Sequence, residues 1–431
     1  MDRPLHALTA IEAAGQIRRG RLSSLDYAEA LLAQAAAREP VLRAFAHLDA
    51  GAVRAQARRR DAQAPGGRGA LHGVPLAVKD VIDTADMPTT YGSPIHAGHV
   101  PRRDAAVVAL ARAAGGIVFG KAVTAEFANR APGPTTNPHD PERTPGGSSS
   151  GSAAAVGAGI VPLALGTQTT ASVIRPASYC GVHGFKPSWG EISYAGIQLT
   201  AASLDTVGLY ARSVPDLALL HAVLTATPFL APMPGNVAAP RIGLCRTPFA
   251  DQAEPCVHAL LDEAARAAEK AGATVVECVL PRPFAGLADA HRWVSAWEGA
   301  RSLAFEATRH RDRLSADILE GRIRDGEACS VELYRASARL GERCRLEMDA
   351  LFAEYDALIT PAAAGEAPKG LAFTGNAVFG GLWTLLHVPC LSLPGARGPA
   401  GMPIGLQLVG PRGGDRRLLE LAAWLERAVF G

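Results

Sequence analysis

PLAVKDVIDT (75–84), DAAVVALARAAGG (104–116) and IVFGK (117–121) decide the fold. A short apolar run is followed by a helical repeat that Asp104 opens and two glycines close, and a second apolar run follows at once. Strand–helix–strand at this spacing predicts a parallel pair in a sheet covered on both faces. The alternation returns in RIGLCR (241–246), CVHALLDEAARAAEKAG (256–272) and ATVVECVL (273–280). YDALITPAA (355–363) and PIGLQLVG (403–410) read as further strands, and DRRLLELAAWLERAV (415–429) as a closing helix. Residues 5–60 read as helices, with Ser23 and Asp26 placed as a capping pair. SVPDLALLHAVL (213–224) is another helix, and the Pro-rich TPFLAPMPGNVAAP (227–240) separates the two halves. The expectation is one α/β domain over 1–431, built on a large mixed, mostly parallel twisted sheet with helices on both faces. Its chemical core spans 64–215. The almost wholly helical stretch 285–355 covers the mouth of the cleft.

Three segments carry chemistry. Lys79 interrupts an apolar strand in the first. TPGGSSSGSAAAVGAG (144–159) sets serines between glycines before a small-residue helix, and LGTQTTASVIRPASYCGVHGFKPS (165–188) holds Ser172 after a hydroxyl-rich turn. A snorkelling lysine, a flexible loop and a turn cap would explain each segment singly, but not all three in this order. Cleaving an amide needs a nucleophile, a proton route to the amine and donors for the oxyanion. No His stands in a hydrolase setting: G-x-S-x-G and HExxH are both missing. A free lysine, with a pKa of about 10.4, is a poor base at neutral pH, and desolvation lowers that value.

In order, spacing and flanking residues, these segments resemble the amidase signature family of serine hydrolases, from LHGVPLAVKD to PGARGPAGMPIGLQLVG. The resemblance implies the amidase signature fold, with Ser172 as nucleophile and Ser148 as the bridging serine that relays its proton to Lys79. It implies an oxyanion hole from the backbone of Thr169, Thr170, Ala171 and Ser172. Relatives have glycine where Ala171 stands; if that position needs positive φ, a Cβ costs about 1–2 kcal/mol. They also often have Asp at Gln168, and Arg two residues after the nucleophile rather than three, as Arg175 is here. Ser203–Gly208 (SLDTVG) is similar to the stretch that buttresses the nucleophile loop. Thr124, Phe127, Gly147, Gln168 and Trp383 are the candidate substrate contacts, with Glu126 and Asn129 beside them, and Thr384 and His387 next to Trp383. Asp80 is expected to hold backbone amides near the site.

The implied function is an amidohydrolase on small carboxamides, anilides or aryl amides, with carbamates (urethanase-like) and urea-type substrates using the same machinery. Two alternatives are a catalytically impaired binding protein and the amidase subunit of a tRNA-dependent amidotransferase. Gln168, Arg175 and Ala171 count against the latter. No cofactor or metal is expected, and a homodimer is possible by analogy with relatives.

With 43 basic and 41 acidic residues the chain carries +2, so nothing points to nucleic acid or an anionic membrane. Seven scattered cysteines without CxxC read as buried thiols of a reducing, cytoplasmic compartment. The start of the chain lacks a charged-then-apolar leader, and AAAVGAGIVPLAL (153–165) is too short to span a bilayer.

Overall fold

The computed structural model describes residues 3–233, 235 and 237–430, so Pro234 and Asn236 of the Pro-rich connector, and residues 1, 2 and 431 at the ends of the 1–431 domain, lie outside it. The strands are β1 (Phe45–His47), β2 (Pro75–Lys79), β3 (Ile117–Ala122), β4 (Leu163–Gln168), β5 (His183–Lys186), β6 (Thr206–Ala211), β7 (Arg241–Leu244), β8 (Thr274–Glu277), β9 (Ala357–Pro361), β10 (Cys390–Arg397) and β11 (Pro403–Val409). They form one mixed sheet in the order β1-β3-β2-β4-β6-β5-β10-β11-β9-β7-β8. Parallel pairing is confined to β3-β2-β4 and β9-β7-β8. Those are the two regions where a helix carries the chain back to the same sheet end. Between them the strands run antiparallel: after the helix Ile174–Cys180 and β5, the chain turns back so that β6 slots between β4 and β5, and β10 and β11 follow each other as an antiparallel pair.

Side chains alternate cleanly across β2 and β4. Ala77 and Ala164 enter one buried cluster, while Leu76, Val78, Leu163 and Leu165 enter the other. A register shift in the β2–β3 pair sets Val78 against Lys121 and Lys79 against Ala122. The two lysines therefore stand on opposite faces of the sheet.

The helix after β2 runs Ala106–Ala113, two residues later than Asp104 suggests. The Asp104 carboxylate caps nothing; it accepts from Ala85 N at 2.8 Å and pairs with Arg112 at 3.0 Å. Ser23 does cap its helix, accepting from Asp26 N at 2.9 Å, and Thr9 with Glu12 makes a full capping box.

Residues 285–355 are helical as expected, with helices Leu287–Ser302, Ala304–Arg309, Arg324–Ala328 and Val331–Leu351 and a π-helical turn at Ile318–Ile323. Two buried or half-buried acids fasten this wall to the core. Glu298 accepts from Ser203 N and Oγ at 2.9 and 2.7 Å, and Glu126 accepts from Ser315 N at 3.2 Å.

Candidate active site

Lys79 ends β2, completely buried, next to the neighbouring strand β4 that carries Thr167. Its Nζ lies 2.8 Å from Ser148 Oγ and 2.8 Å from Thr167 Oγ1. Neither partner is charged. Burial lowers its pKa to about 7, opposed only by the distant carboxylate of Asp205. Lys121 makes the contrast. Equally buried, it has the Asp80 carboxylate at 3.7 Å, plus Thr89 Oγ1 at 2.7 Å and the Ile82 carbonyl; burial lowers its pKa too, to about 8, with Asp80 opposing the shift. Asp80 thus partners a structural lysine and the Thr90 amide and hydroxyl, not the site. A neutral amine between two hydroxyls can donate to one and accept from the other.

Ser148 follows a cis Gly147–Ser148 peptide, just before the helix Ser150–Gly157. Gly146 has φ 82°, and a Cβ there would lie 2.8 Å from Pro176 Cα, so this turn admits only glycine. Ser149 Oγ bonds the Thr167 carbonyl at 3.1 Å and Ser152 Oγ the Leu165 carbonyl at 2.9 Å, tying the loop along β4.

Ser172 lies between β4 and the helix Ile174–Cys180, 8 % exposed at the floor of a cavity of about 450 Å³. The turn before it is clamped by its carbonyls. Thr169 O accepts from His291 Nε2 at 2.8 Å, and Thr170 O from Thr384 Oγ1 at 2.9 Å. Thr169 Oγ1 donates to Asp205 at 2.5 Å, and Asp205 also receives the amides of Thr200 and Ala201. Burial raises Asp205 to about 6. In a trans peptide N–H and C=O point opposite ways. With both carbonyls turned away toward the clamps, the N–H groups of Thr170 and Ala171 point the other way. Those donors, with Ser172 N–H, make no hydrogen bond to any described residue. Ala171 does not sit at positive φ, so its Cβ is unstrained. Room for the methyl comes from Gly380, where a Cβ would stand 2.5 Å from that of Ala171.

The cavity takes one wall from the helical stretch 285–355. Four arginines line it, Arg130, Arg175, Arg292 and Arg322, against two aspartates, Asp317 and Asp325. Asp325 is occupied by Arg292 at 3.2 Å. Arg322, on the π-helical turn, bonds Asn129 Oδ1 at 2.7 Å and Ser295 Oγ, both neutral, and burial lowers its pKa to about 10. Arg175 bonds the carbonyls of Gly147 and Gly375 at 2.6 and 2.8 Å and Thr374 Oγ1 at 3.1 Å. Among the described residues, neither guanidinium has a carboxylate partner.

Lys79 and Ser148 are thus in direct contact, and Ser172 faces the cavity with Thr169 and Thr170 of the turn before it. Of the other candidates, Asn129 lines the cavity, while Thr124, Phe127, Gly147, Gln168 and Trp383 do not. Trp383 is fully buried in the core, where its ring fills space between helices. Phe127 packs its ring on Leu303, Leu314 and Ile318, beneath the wall rather than in the cleft. Gln168 turns inward because Val173 N and Ile174 N at the start of the next helix need an acceptor, at 2.8 and 3.2 Å. Thr124 is buried and bonds the Ala125 carbonyl. Gly147 lines an adjoining crevice against Thr374, with its carbonyl held by Arg175. His387 bonds the Ser203 carbonyl at 2.8 Å. His291, Arg322 and Thr167 carried no sequence signal, because each reads as an ordinary member of a helix or strand.

All seven cysteines are free thiols, and Cys180, whose pKa burial raises, packs against the Pro145 carbonyl. Among the described residues no three His, Cys, Asp or Glu side chains converge as metal ligands, and no helix is long and apolar enough to cross a membrane.

The family profile described as Amidase matches residues 26–419. The glutamyl-tRNA(Gln) amidotransferase A subunit of Roseiflexus castenholzii is 35% identical, covering 99% of this chain and 96% of its own. A chain from a vestigial protein complex that bears on the origins of an s-triazine catabolic enzyme superposes with a TM-score of 0.89, 30% identity and coverage of 98% and 99%. The peptide amidase of Stenotrophomonas maltophilia gives a TM-score of 0.85 at 30% identity, with coverage of 99% and 98%. A matching profile along most of the chain and a shared fold from end to end have one reading: the chain belongs to the amidase signature family of amide C–N hydrolases.

Proposed function

We propose that the chain hydrolyses a carboxamide through an acyl-enzyme on Ser172, and that the substrate carries an anionic group. The observation that carries the chemistry is Lys79, buried between two hydroxyls with no carboxylate beside it. Neutral Lys79 takes the Ser148 proton as Ser148 Oγ takes that of Ser172. Ser172 Oγ then bonds the carbonyl carbon, and the oxyanion meets the free N–H groups of Thr170, Ala171 and Ser172. The relay returns the proton to the nitrogen, the C–N bond breaks, and water releases the acid by the same steps in reverse.

Substrate class follows from charge. A guanidinium is always protonated at neutral pH, and among the described residues no carboxylate lies in salt-bridge contact with Arg322, which lines the cavity; Asp205 and Asp325 act on it only from a distance. A carboxylate on the substrate supplies that contact, as a carboxamide of the glutamine type would. This favours the amidotransferase reading over the small neutral or aryl amides first expected, and so do the curated relatives, which are amidotransferase A subunits. The alanine at 171 still departs from that reading's glycine, but it is not at positive φ and so imposes no strain on the turn. Urethane and urea-type cleavage draw no support from these relatives. In the amidotransferase setting ammonia would pass to a partner protein.

Two measurements test the proposal. Intact-mass labelling with a fluorophosphonate, followed by peptide mapping, is expected to give one adduct on Ser172; no adduct on folded protein removes the acyl-enzyme. Ammonia release from paired amides with and without a carboxylate is expected to favour the anionic member. Equal or reversed preference removes the anionic substrate while leaving the nucleophile standing.

A further inference from the structure

The 169–172 turn has no glycine, so its peptide planes are fixed by what holds their carbonyls. One of the two clamps comes from outside the signature core. His291 sits on the helix Leu287–Ser302 of the cavity wall, 6 % exposed, and bonds Thr169 O at 2.8 Å. A carbonyl only accepts, so Nε2 carries the hydrogen and the ring is held as that tautomer. Burial lowers the pKa of His291 to about 4, so the neutral form persists through the physiological range. The peptide whose carbonyl it holds is the one whose N–H belongs to Thr170.

We infer that His291 is a positioning residue for the oxyanion donors: by holding Thr169 O it aims Thr170 N–H at the reacting carbonyl, and it makes that aim depend on the packing of the helical wall. The other neighbours of the turn do not duplicate this. Thr384 holds the following carbonyl, and Asp205 holds the Thr169 side chain rather than its backbone. The wall itself is anchored at Glu298 and Glu126, so displacing it would withdraw His291 and loosen the donor together. The inference rests on Ser172 as nucleophile, and its test separates the two.

The test compares His291→Leu, which fills the space without a donor, with His291→Gln, whose Nε2 reproduces the lost one. The rate of Ser172 labelling by a fluorophosphonate and kcat on a carboxamide are expected to fall about 10- to 100-fold in the Leu variant, with KM nearly unchanged, since a misaimed donor weakens the transition state selectively. The Gln variant is expected to recover to within about 3-fold of the parent. If the Leu protein does not fold, His291→Asn, whose donor falls one bond short, takes its place. Equal rates in parent and Leu protein, or a Gln variant as slow as Leu, would overturn the inference. If the parent itself takes no label, the Ser172 reading falls and amide exchange over 165–173 decides. Faster exchange in Leu but not Gln upholds the clamp, and unchanged exchange overturns it.

Discussion

The signature core and the helical wall solve opposite electrostatic problems on either side of Ser172. Around Lys79 the core withholds counter-charge: two hydroxyls and burial leave the amine near pKa 7. The wall, through Arg322, supplies charge and again withholds a partner. The uncompensated lysine favours its neutral state, the form that the proposed mechanism needs in a base. An arginine does not surrender its proton under the same treatment, so it remains a cation, which the proposed function pairs with an anionic group on the substrate. Lys121 shows what the core does when it wants a lysine only for structure, because it places Asp80 next to it. Core and wall should therefore fail differently when cut.

The largest effect belongs to the core. Ser172→Ala is expected to lower kcat by at least about 10⁴-fold and to abolish phosphonate labelling, with the melting temperature within a few degrees of the parent. Turnover near the parent level would end the acyl-enzyme reading. Lys79→Met comes next, at about 10²- to 10⁴-fold, the range for losing a general base. Its pH dependence carries the sign. The base works neutral, so in the parent kcat/KM should climb as pH rises toward 7 and level off above it. A parent profile flat from pH 5.5 to 8.5 would show that no group of that pKa is used.

The wall should break selectively. Arg322→Gln removes a charge-assisted contact worth about 1.5–3 kcal/mol, so KM for a carboxylate-bearing amide should rise roughly 10- to 100-fold. An uncharged amide of similar size should be untouched. A uniform loss on both substrates would make Arg322 a structural brace of Asn129 and Ser295 rather than an anion site.

The same division explains what could be read from the chain. The core's candidate residues were legible because their context is local: a lysine in an apolar strand, and serines between glycines at a turn that Gly146 alone can make. The strand–helix–strand units were legible for the same reason, whereas in the antiparallel middle only Pro403–Val409 reads as a strand and short runs such as His183–Lys186 do not. Gln168 and Phe127 were misjudged because alternation along a strand or loop does not say which way one side chain turns. Gln168 went to orphan helix amides and Phe127 to a second core under the wall. Arg322 and His291 were invisible, since an arginine on a helix is most often solvated. Only the fold sets theirs against Asn129 and Thr169.

The smallest expected effect is the most exacting for the comparison. Ala171→Gly restores the residue that relatives have, and strain relief would have argued for a gain in rate. But Ala171 is not at positive φ, and its methyl rests in the space that Gly380 leaves. Deleting a methyl there relieves nothing and adds backbone freedom, a penalty of order 0.5–1 kcal/mol if the loop were loose. The loop is not loose: His291 and Thr384 hold both carbonyls. The variant should therefore stay within about 3-fold of the parent in kcat. A rise beyond about 10-fold would mean that Ala171 misaligns the donors despite its relaxed φ. A fall of that size would show that the alanine, and not the clamps from His291 and Thr384, fixes the turn, and would move the determinant of oxyanion geometry back into the core.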